Sequence, residues 1–274
     1  MKIGYSTCPN DTFIFDALVH QRYPHTLAPE PVLLDVETLN RMSVTGELPV
    51  TKLSFAAFAF VSEKYQILSA GSALGNNCGP LIIYKNEPDF SQPDKLKVAI
   101  PGKYTTANLL MSIFYPQLNN KIELVFSSIE DAVLDGTADL GLIIHENRFT
   151  YEAKGLKCLA DLGQKWESAF HVPIPLGCIA VSRDLPETEK LEIQAAIKSS
   201  VEWAFQHPAD SRDYVMEHAR ELSETVQQQH ISLYVNRFSV DLGEEGKRAV
   251  RLLMAEGMKA GLLPIVQEPI FVEN

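Results

Sequence analysis

Short apolar runs alternate with stretches in which apolar positions recur three and four residues apart. These are the periodicities of strands and helices respectively. Residues 2–5, 32–34, 50–53, 66–69 and 81–84 read as strands, and residues 13–20, 35–45 and 55–62 as helices. The polar turn from Ser6 to Thr12 offers Asn10 or Asp11 as a cap for the helix behind it, and Gly46 closes the helix that ends at Thr45. Residues 85–95, with Pro88 and Pro93, read as a linker.

The pattern then starts again. A strand is expected at 97–100, and the turn from Pro101 to Ala107 leads into a helix at 108–114. A strand at 123–126 precedes a helix opened by Ser127 and Ser128 and closed by Gly136, and a buried strand follows at 140–144. Lys2 answers to Lys97, Leu33 to Leu124 and Gly46 to Gly136, and Ser54 falls near His145. Strand–helix alternation of this kind implies an α/β fold with parallel or mixed sheets and helices on both faces. The segment 172–177, with Pro173 and Pro175, reads as a second crossing between two lobes and leads into a strand at 178–181. Helices are expected at 187–206, 209–221, 225–235 and 243–260, a helical C-terminal part that returns to the first lobe. Lobe 1 is then residues 1–86 plus 180–274, lobe 2 is residues 87–179, and a cleft lies between them.

Composition narrows the function. The formal charge of −11 argues against non-specific nucleic-acid or anionic-membrane binding, because both need positive surface. An anionic small molecule stays compatible, since backbone N–H groups can hold it. The four cysteines (Cys8, Cys78, Cys158, Cys178) show no C-x-x-C spacing, so free thiols are expected rather than zinc. No basic stretch with an apolar run behind it opens the sequence, and no run spans a bilayer, so a cytoplasmic location is expected.

Candidate chemistry gathers in the loops after strands, where open α/β sheets bind ligands. His145 directly follows the strand at 140–144 and either meets a ligand, moving protons near neutral pH, or only ends the strand. Thr105, Thr106 and Ala107 open a helix whose N–H groups suit a carboxylate or phosphate, or form an ordinary cap. Lys52, Leu53 and Ser54 close the third strand. Lys52 and Ser54 either add polar contacts or terminate the strand and cap the next helix. Asn10 and Asp11 either hold substrate hydroxyls or form their turn. Asn76 to Gly79 shape the cleft near the hinge, and Glu146 orients His145 or is solvated. Arg148 either binds a carboxylate or lies on the surface, and Cys8 has no base beside it in sequence. No dinucleotide fingerprint, phosphate loop, metal motif or hydrolase elbow is present.

Taken together, Ser6-Thr-Cys-Pro-Asn-Asp-Thr-Phe-Ile-Phe15, Lys52-Leu-Ser54, Gly102-Lys-Tyr-Thr-Thr-Ala107, Ile144-His145-Glu146 and Pro173-Ile-Pro-Leu-Gly177 resemble the 1,4-dihydroxy-6-naphthoate synthases. These menaquinone-pathway enzymes act on cyclic dehypoxanthine futalosine. The resemblance covers nearly the whole chain. It implies a clamshell like the type II periplasmic binding proteins, used as a cytoplasmic lyase. It implies His145 as proton acceptor, Ser54, Thr106 and Ala107 as substrate contacts, a small carboxylate substrate, and neither cofactor nor metal. A homodimer is left open. The alternatives are chorismate dehydratase, of the same fold and pathway, and a non-catalytic solute-binding protein.

Overall fold

The computed structural model describes residues 1–219 and 223–273. Its first half runs β1 (Lys2–Tyr5), α1 (Pro9–Val19), β2 (Glu30–Leu33), α2 (Val36–Thr45), β3 (Val50–Ser54), α3 (Phe55–Val61), β4 (Tyr65–Ile67) and β5 (Ala73–Gly75). The second set is β6 (Leu81–Tyr84), β7 (Val98–Ile100), α4 (Thr106–Phe114), β8 (Lys121–Glu123), α5 (Ile129–Leu134), β9 (Leu140–Ile143), β10 (Lys157–Asp161) and α6 (Leu162–Phe170). The chain returns through β11 (Ile174–Ser182), α7 (Glu187–Gln206), α8 (Arg212–His218), α9 (Glu224–Tyr234), α10 (Arg237–Val240) and α11 (Gly243–Lys259).

The internal repetition is real at the level of topology. One sheet has the order β2-β1-β3-β11-β4, with β5 also on β11, and the other has β10-β6-β9-β7-β8. In each, a central strand pairs in parallel on both sides, β1 with β2 and β3, and β7 with β8 and β9. Each trio is then flanked by an antiparallel strand, β11 against β3 and β6 against β9. Gly46 and Gly136 occupy equivalent places after α2 and α5, with φ of 79° and 81°, left-handed backbone that glycine adopts without steric cost.

The sheets change hands earlier than the expected boundaries at 86/87 and 179/180. Leu81–Tyr84 pairs with Leu140–Ile143 in the second sheet, and Ile174–Ser182 pairs with β3, β4 and β5 in the first. The crossings are therefore the residues between Gly75 and Leu81 and those between Phe170 and Ile174. The reason is edge pairing. A buried apolar strand such as Leu81–Tyr84 needs a neighbour on each side, and β9 and β10 supply them. At the first crossing Gly79 lies against Gly163. A Cβ on Gly79 would come within 2.2 Å of the Gly163 backbone nitrogen, so a larger residue does not fit without displacement.

Other expectations shift locally. α1 begins at Pro9 with Cys8 as its cap, four residues earlier than its apolar face suggested, because proline is preorganised for the first helical turn. Asn10 and Asp11 therefore sit inside the first turn and do not cap the helix. The strand expected at 123–126 is Lys121–Glu123, and Phe126–Ser128 is a 3-10 turn into α5. Ser128 itself makes no side-chain cap on α5. The helix expected at 209–221 is Arg212–His218, and residues 220 and 221 of that expectation lie outside the described residues. β10 and α6 have no counterpart among the elements expected from periodicity. The Asp161 side chain caps α6 through the N–H groups of Gly163 and Gln164, and Trp166 of that helix is fully buried.

Two large apolar clusters hold this frame. One packs α1, β1 and β11 against α7, α8 and α9. The other runs continuously from Leu53, Phe55 and Phe58 through Leu110 and Leu140 to Trp166, Leu253 and Met254. This cluster joins both sheets into one core, so the cleft is cut into a shared hydrophobic body.

Candidate active site

Strand ends bring the polar groups together. β3 alternates its side chains, so Lys52 and Ser54 face the cleft while Leu53, fully buried, points into the shared core. The expected contact set Lys52–Ser54 thus loses Leu53, whose residue pairs with Cys178 in the sheet. Asn40 fastens Ser54 from behind. Its amide oxygen accepts from the Ser54 N–H (2.9 Å), and its amide nitrogen donates to Ser54 Oγ (3.1 Å). Ser54 Oγ keeps its own hydrogen to donate.

Lys52 Nζ donates to Asp11 Oδ1 at 2.7 Å, and both residues are buried. Asp11 also accepts from Asn10 Nδ2 (2.8 Å), Ser6 N (3.1 Å) and Ser6 Oγ (2.7 Å). With four donors the carboxylate has no site left for a substrate hydroxyl. The role expected for Asp11 is corrected accordingly: it organises Lys52. Asn10 Oδ1 accepts from His230 Nε2 at 2.8 Å, which leaves one Asn10 N–H for the cleft.

Across the cleft, Thr105 caps α4 by accepting from the Asn108 N–H at 3.2 Å and donates to Gly102 O at 2.8 Å. Thr106 Oγ1 donates to Leu176 O (2.8 Å) and accepts from the Ala56 N–H (3.2 Å), tying α4 to β11 and α3. The N–H groups at the start of α4, at Thr106 and Ala107, have no acceptor inside the helix and lie in the cleft wall. The helix dipole adds partial positive charge there.

His145 opens a 3-10 turn directly after β9, with a left-handed φ of 58°. For a side-chain-bearing residue that conformation costs of order 1–3 kcal/mol and is held by its surroundings. Its ring packs edge-on to Phe126 (5.2 Å) and stacks on His230 (5.9 Å between centroids, 22° between planes). The turn is pinned below by Asn147 and Lys154, both donating to the buried Glu130. His145 is half-buried, lines the cleft, and has no hydrogen-bond partner among the described residues. Burial pushes its pKa down to about 4, with Asp11 opposing and Lys52 assisting. It is a neutral imidazole with a free lone pair at physiological pH.

These groups share one cleft with Val36, Ala73, Cys78, Pro80, Leu176 and Tyr234, and polar groups from both sides converge on it. Arg148 is not among them. Its guanidinium donates to Gly79 O and to Asp161 Oδ2, both at 2.6 Å, so the expectation that it binds a substrate carboxylate is corrected: it braces the crossing. Burial pushes the Cys8 thiol well above its usual pKa, so it is no thiolate nucleophile. Cys8, His145 and Glu146 bring donor atoms within 4.8 Å of one another, the closest approach to a metal-ligating set among the described residues. Sequence reasoning missed His230 and Tyr234 from α9. Their i, i+4 spacing beside His145 was the available signal, and nothing in the local pattern tied α9 to that loop.

Residues 1–259 match the menaquinone biosynthesis family. The chain belongs to the menaquinone biosynthesis family. Within it, the chain is 46% identical over 272 residues to a 1,4-dihydroxy-6-naphtoate synthase of Thermus thermophilus, covering 99% of each. It is 42% identical to the Streptomyces coelicolor protein of the same name, covering 96% of this chain and 95% of that one. The family resemblance carried by the motifs therefore holds, and these relatives are enzymes of menaquinone biosynthesis. A crystal structure of an Archaeoglobus fulgidus protein superposes with a TM-score of 0.90 at 34% identity, covering 96% of this chain and 98% of that one. A Candida albicans protein described as having the generic periplasmic binding protein fold superposes at 0.68 with 14% identity, covering 98% and 92%. The family thus carries the periplasmic-binding-protein architecture, with the α/β class and two sheets expected from the alternation.

Proposed function

We propose that this chain is a carbon–carbon lyase converting cyclic dehypoxanthine futalosine to 1,4-dihydroxy-6-naphthoate, with His145 as proton acceptor. The observation that carries the reading is a neutral, unpartnered His145 in the same cleft as the open N–H groups of α4. The substrate carboxylate sits at Thr106 and Ala107, where dipole and N–H groups receive it. Ser54 and the remaining Lys52 and Asn10 hydrogens hold its oxygens. An imidazole with a pKa near 4 is a weak base in the empty cleft. The enclosed anion changes that, because a negative charge nearby favours the protonated ring and raises its pKa toward the working range. His145 then removes a proton from the sugar-derived part. Ring opening and retro-aldol cleavage follow, and aromatisation drives the release of the naphthoate. Positioning and exclusion of water supply much of the acceleration, and the base about 10²–10⁴-fold. The scheme uses only the chain's own residues, with no metal or organic cofactor, in the cytoplasm.

The test incubates purified protein with cyclic dehypoxanthine futalosine and follows products by chromatography and mass spectrometry. Naphthoate should appear and be lost in His145→Ala. Consumption of chorismate instead would assign the chain to the dehydratase reaction, and binding of either compound without turnover would make it a binding protein.

A further inference from the structure

Cys78 and Tyr234 are buried titratable side chains of the cleft to which the proposed reaction gives no task, and of the two only Tyr234 carries a hydroxyl. Tyr234, the last residue of α9, is 7% exposed, and its residue lines the same cleft as His145. Its hydroxyl has no hydrogen-bond partner among the described residues. The hydroxyl oxygen is not among the fully buried polar atoms that lack a partner, so it stays within reach of the cleft, where a ligand or water can complete it. The ring is held in place by His230, one helical turn earlier, whose imidazole lies 4.6 Å from it between centroids. His230 in turn stacks on His145 and is tied through Asn10 to the Asp11–Lys52 pair. Tyr234 is therefore part of the assembly that positions the base, although it comes from the far end of the chain.

We propose that Tyr234 is a further catalytic residue, whose hydroxyl donates a hydrogen bond to the substrate oxygen that becomes negative as His145 takes its proton. The proposal rests on the reading of the cleft as the lyase site. His145 gains the proton, the charge appears on the substrate oxygen, and the phenolic proton stays on Tyr234. Burial raises the Tyr234 pKa far above neutrality, so the group stays a donor throughout the working range. A donor already in place in a water-poor site stabilises developing charge without reorganisation at the moment of reaction. The Thr105 and Thr106 hydroxyls are less available, since they already donate to Gly102 and Leu176, and Ser54, Lys52 and Asn10 are assigned to the other substrate oxygens.

Tyr234→Phe removes the hydroxyl and keeps the ring on His230. Turnover of cyclic dehypoxanthine futalosine, binding of 1,4-dihydroxy-6-naphthoate by fluorescence, and the thermal midpoint are compared with wild type. The expected result is a fall in kcat of about 100-fold, with KM and naphthoate affinity within about threefold. A kcat within threefold of wild type overturns the proposal, as does a loss carried wholly by KM. A variant that melts early or loses naphthoate binding makes Tyr234 a packing residue and overturns it too. If wild type itself makes no naphthoate, the functional reading fails first and the role of Tyr234 falls with it. If wild type turns over and the variant matches it, only the role of Tyr234 fails.

Discussion

Lys52 Nζ lies 2.7 Å from Asp11 Oδ1, and this buried ion pair joins the end of β3 to the first turn of α1 beneath the cleft. Asp11 is satisfied by four donors and Lys52 by Asp11 and a longer contact of 3.5 Å to Gly71 O. Removing one partner leaves the other charge buried without compensation, which costs about 3–5 kcal/mol. Asp11→Asn and Lys52→Met should each lower stability by that order in urea unfolding. The double variant should lose clearly less than the sum of the two. Additive losses would mean that the pair is not coupled.

The depressed pKa of His145 sets a direction for pH dependence. Its ordinary value of 6.5 falls to about 4 in the folded protein. Between those values the unfolded chain binds more protons than the folded one. Stability is therefore fully present above pH 6.5 and falls as the pH drops toward 4, with a limiting slope of about 1.4 kcal/mol per pH unit for one histidine. Burial also lowers the pKa of His230, which steepens the same acid loss. Urea midpoints from pH 7 to pH 4.5 should fall, and His145→Gln should flatten the fall.

The same ionisation shapes activity. The acid limb of kcat/KM reports the free enzyme, and that of kcat reports the complex. With His145 near 4 in the free enzyme, kcat/KM should stay flat from neutrality to about pH 5. The acid limb of kcat should lie at higher pH, because the bound anion raises the imidazole pKa. Coincident limbs would show that the substrate's charge does not act on His145.

Much of this site was readable from the residues. Strand alternation placed Lys52 and Ser54 on one side, and the same alternation sends Leu53 to the core, a consequence the motif Lys-Leu-Ser hides. The left-handed glycines 46 and 136 announced two equivalent helix ends. His145 was visible as a polar residue directly after a buried strand. Arg148 looked the same in sequence, and only the fold reveals Gly79 and Asp161 as its acceptors. The lobe boundaries were misplaced because periodicity identifies a strand such as Leu81–Tyr84 without naming its partners. α9 was legible as a helix, but its meeting with the His145 turn joins segments about 85 residues apart, and local pattern carries no such information.

Thr106 offers a test of how the two sheets are joined at the cleft. Its hydroxyl serves the Ala56 N–H and Leu176 C=O at once, and the residue is 2% exposed. Thr106→Val keeps the shape and leaves both backbone groups without that partner, at a cost of about 1–3 kcal/mol. Thr106→Ser should restore most of the loss, since only a methyl is missing. A valine variant as stable as wild type would show that the bridge contributes nothing.

Arg148 separates a bracing role from a binding role. Its two 2.6 Å bonds join the 3-10 turn that begins at His145 to the first crossing at Gly79 and to Asp161, which also caps α6. Arg148→Gln removes a charge-assisted bond to Asp161 and leaves the Gly79 carbonyl without its donor. Each is worth about 1–3 kcal/mol. The thermal midpoint should fall by several degrees, while KM for a carboxylate substrate stays within about threefold, because the side chain is spent before substrate arrives. The opposite split, an unchanged midpoint with KM raised more than tenfold, would return Arg148 to the substrate and require its guanidinium to leave Asp161 when ligand binds.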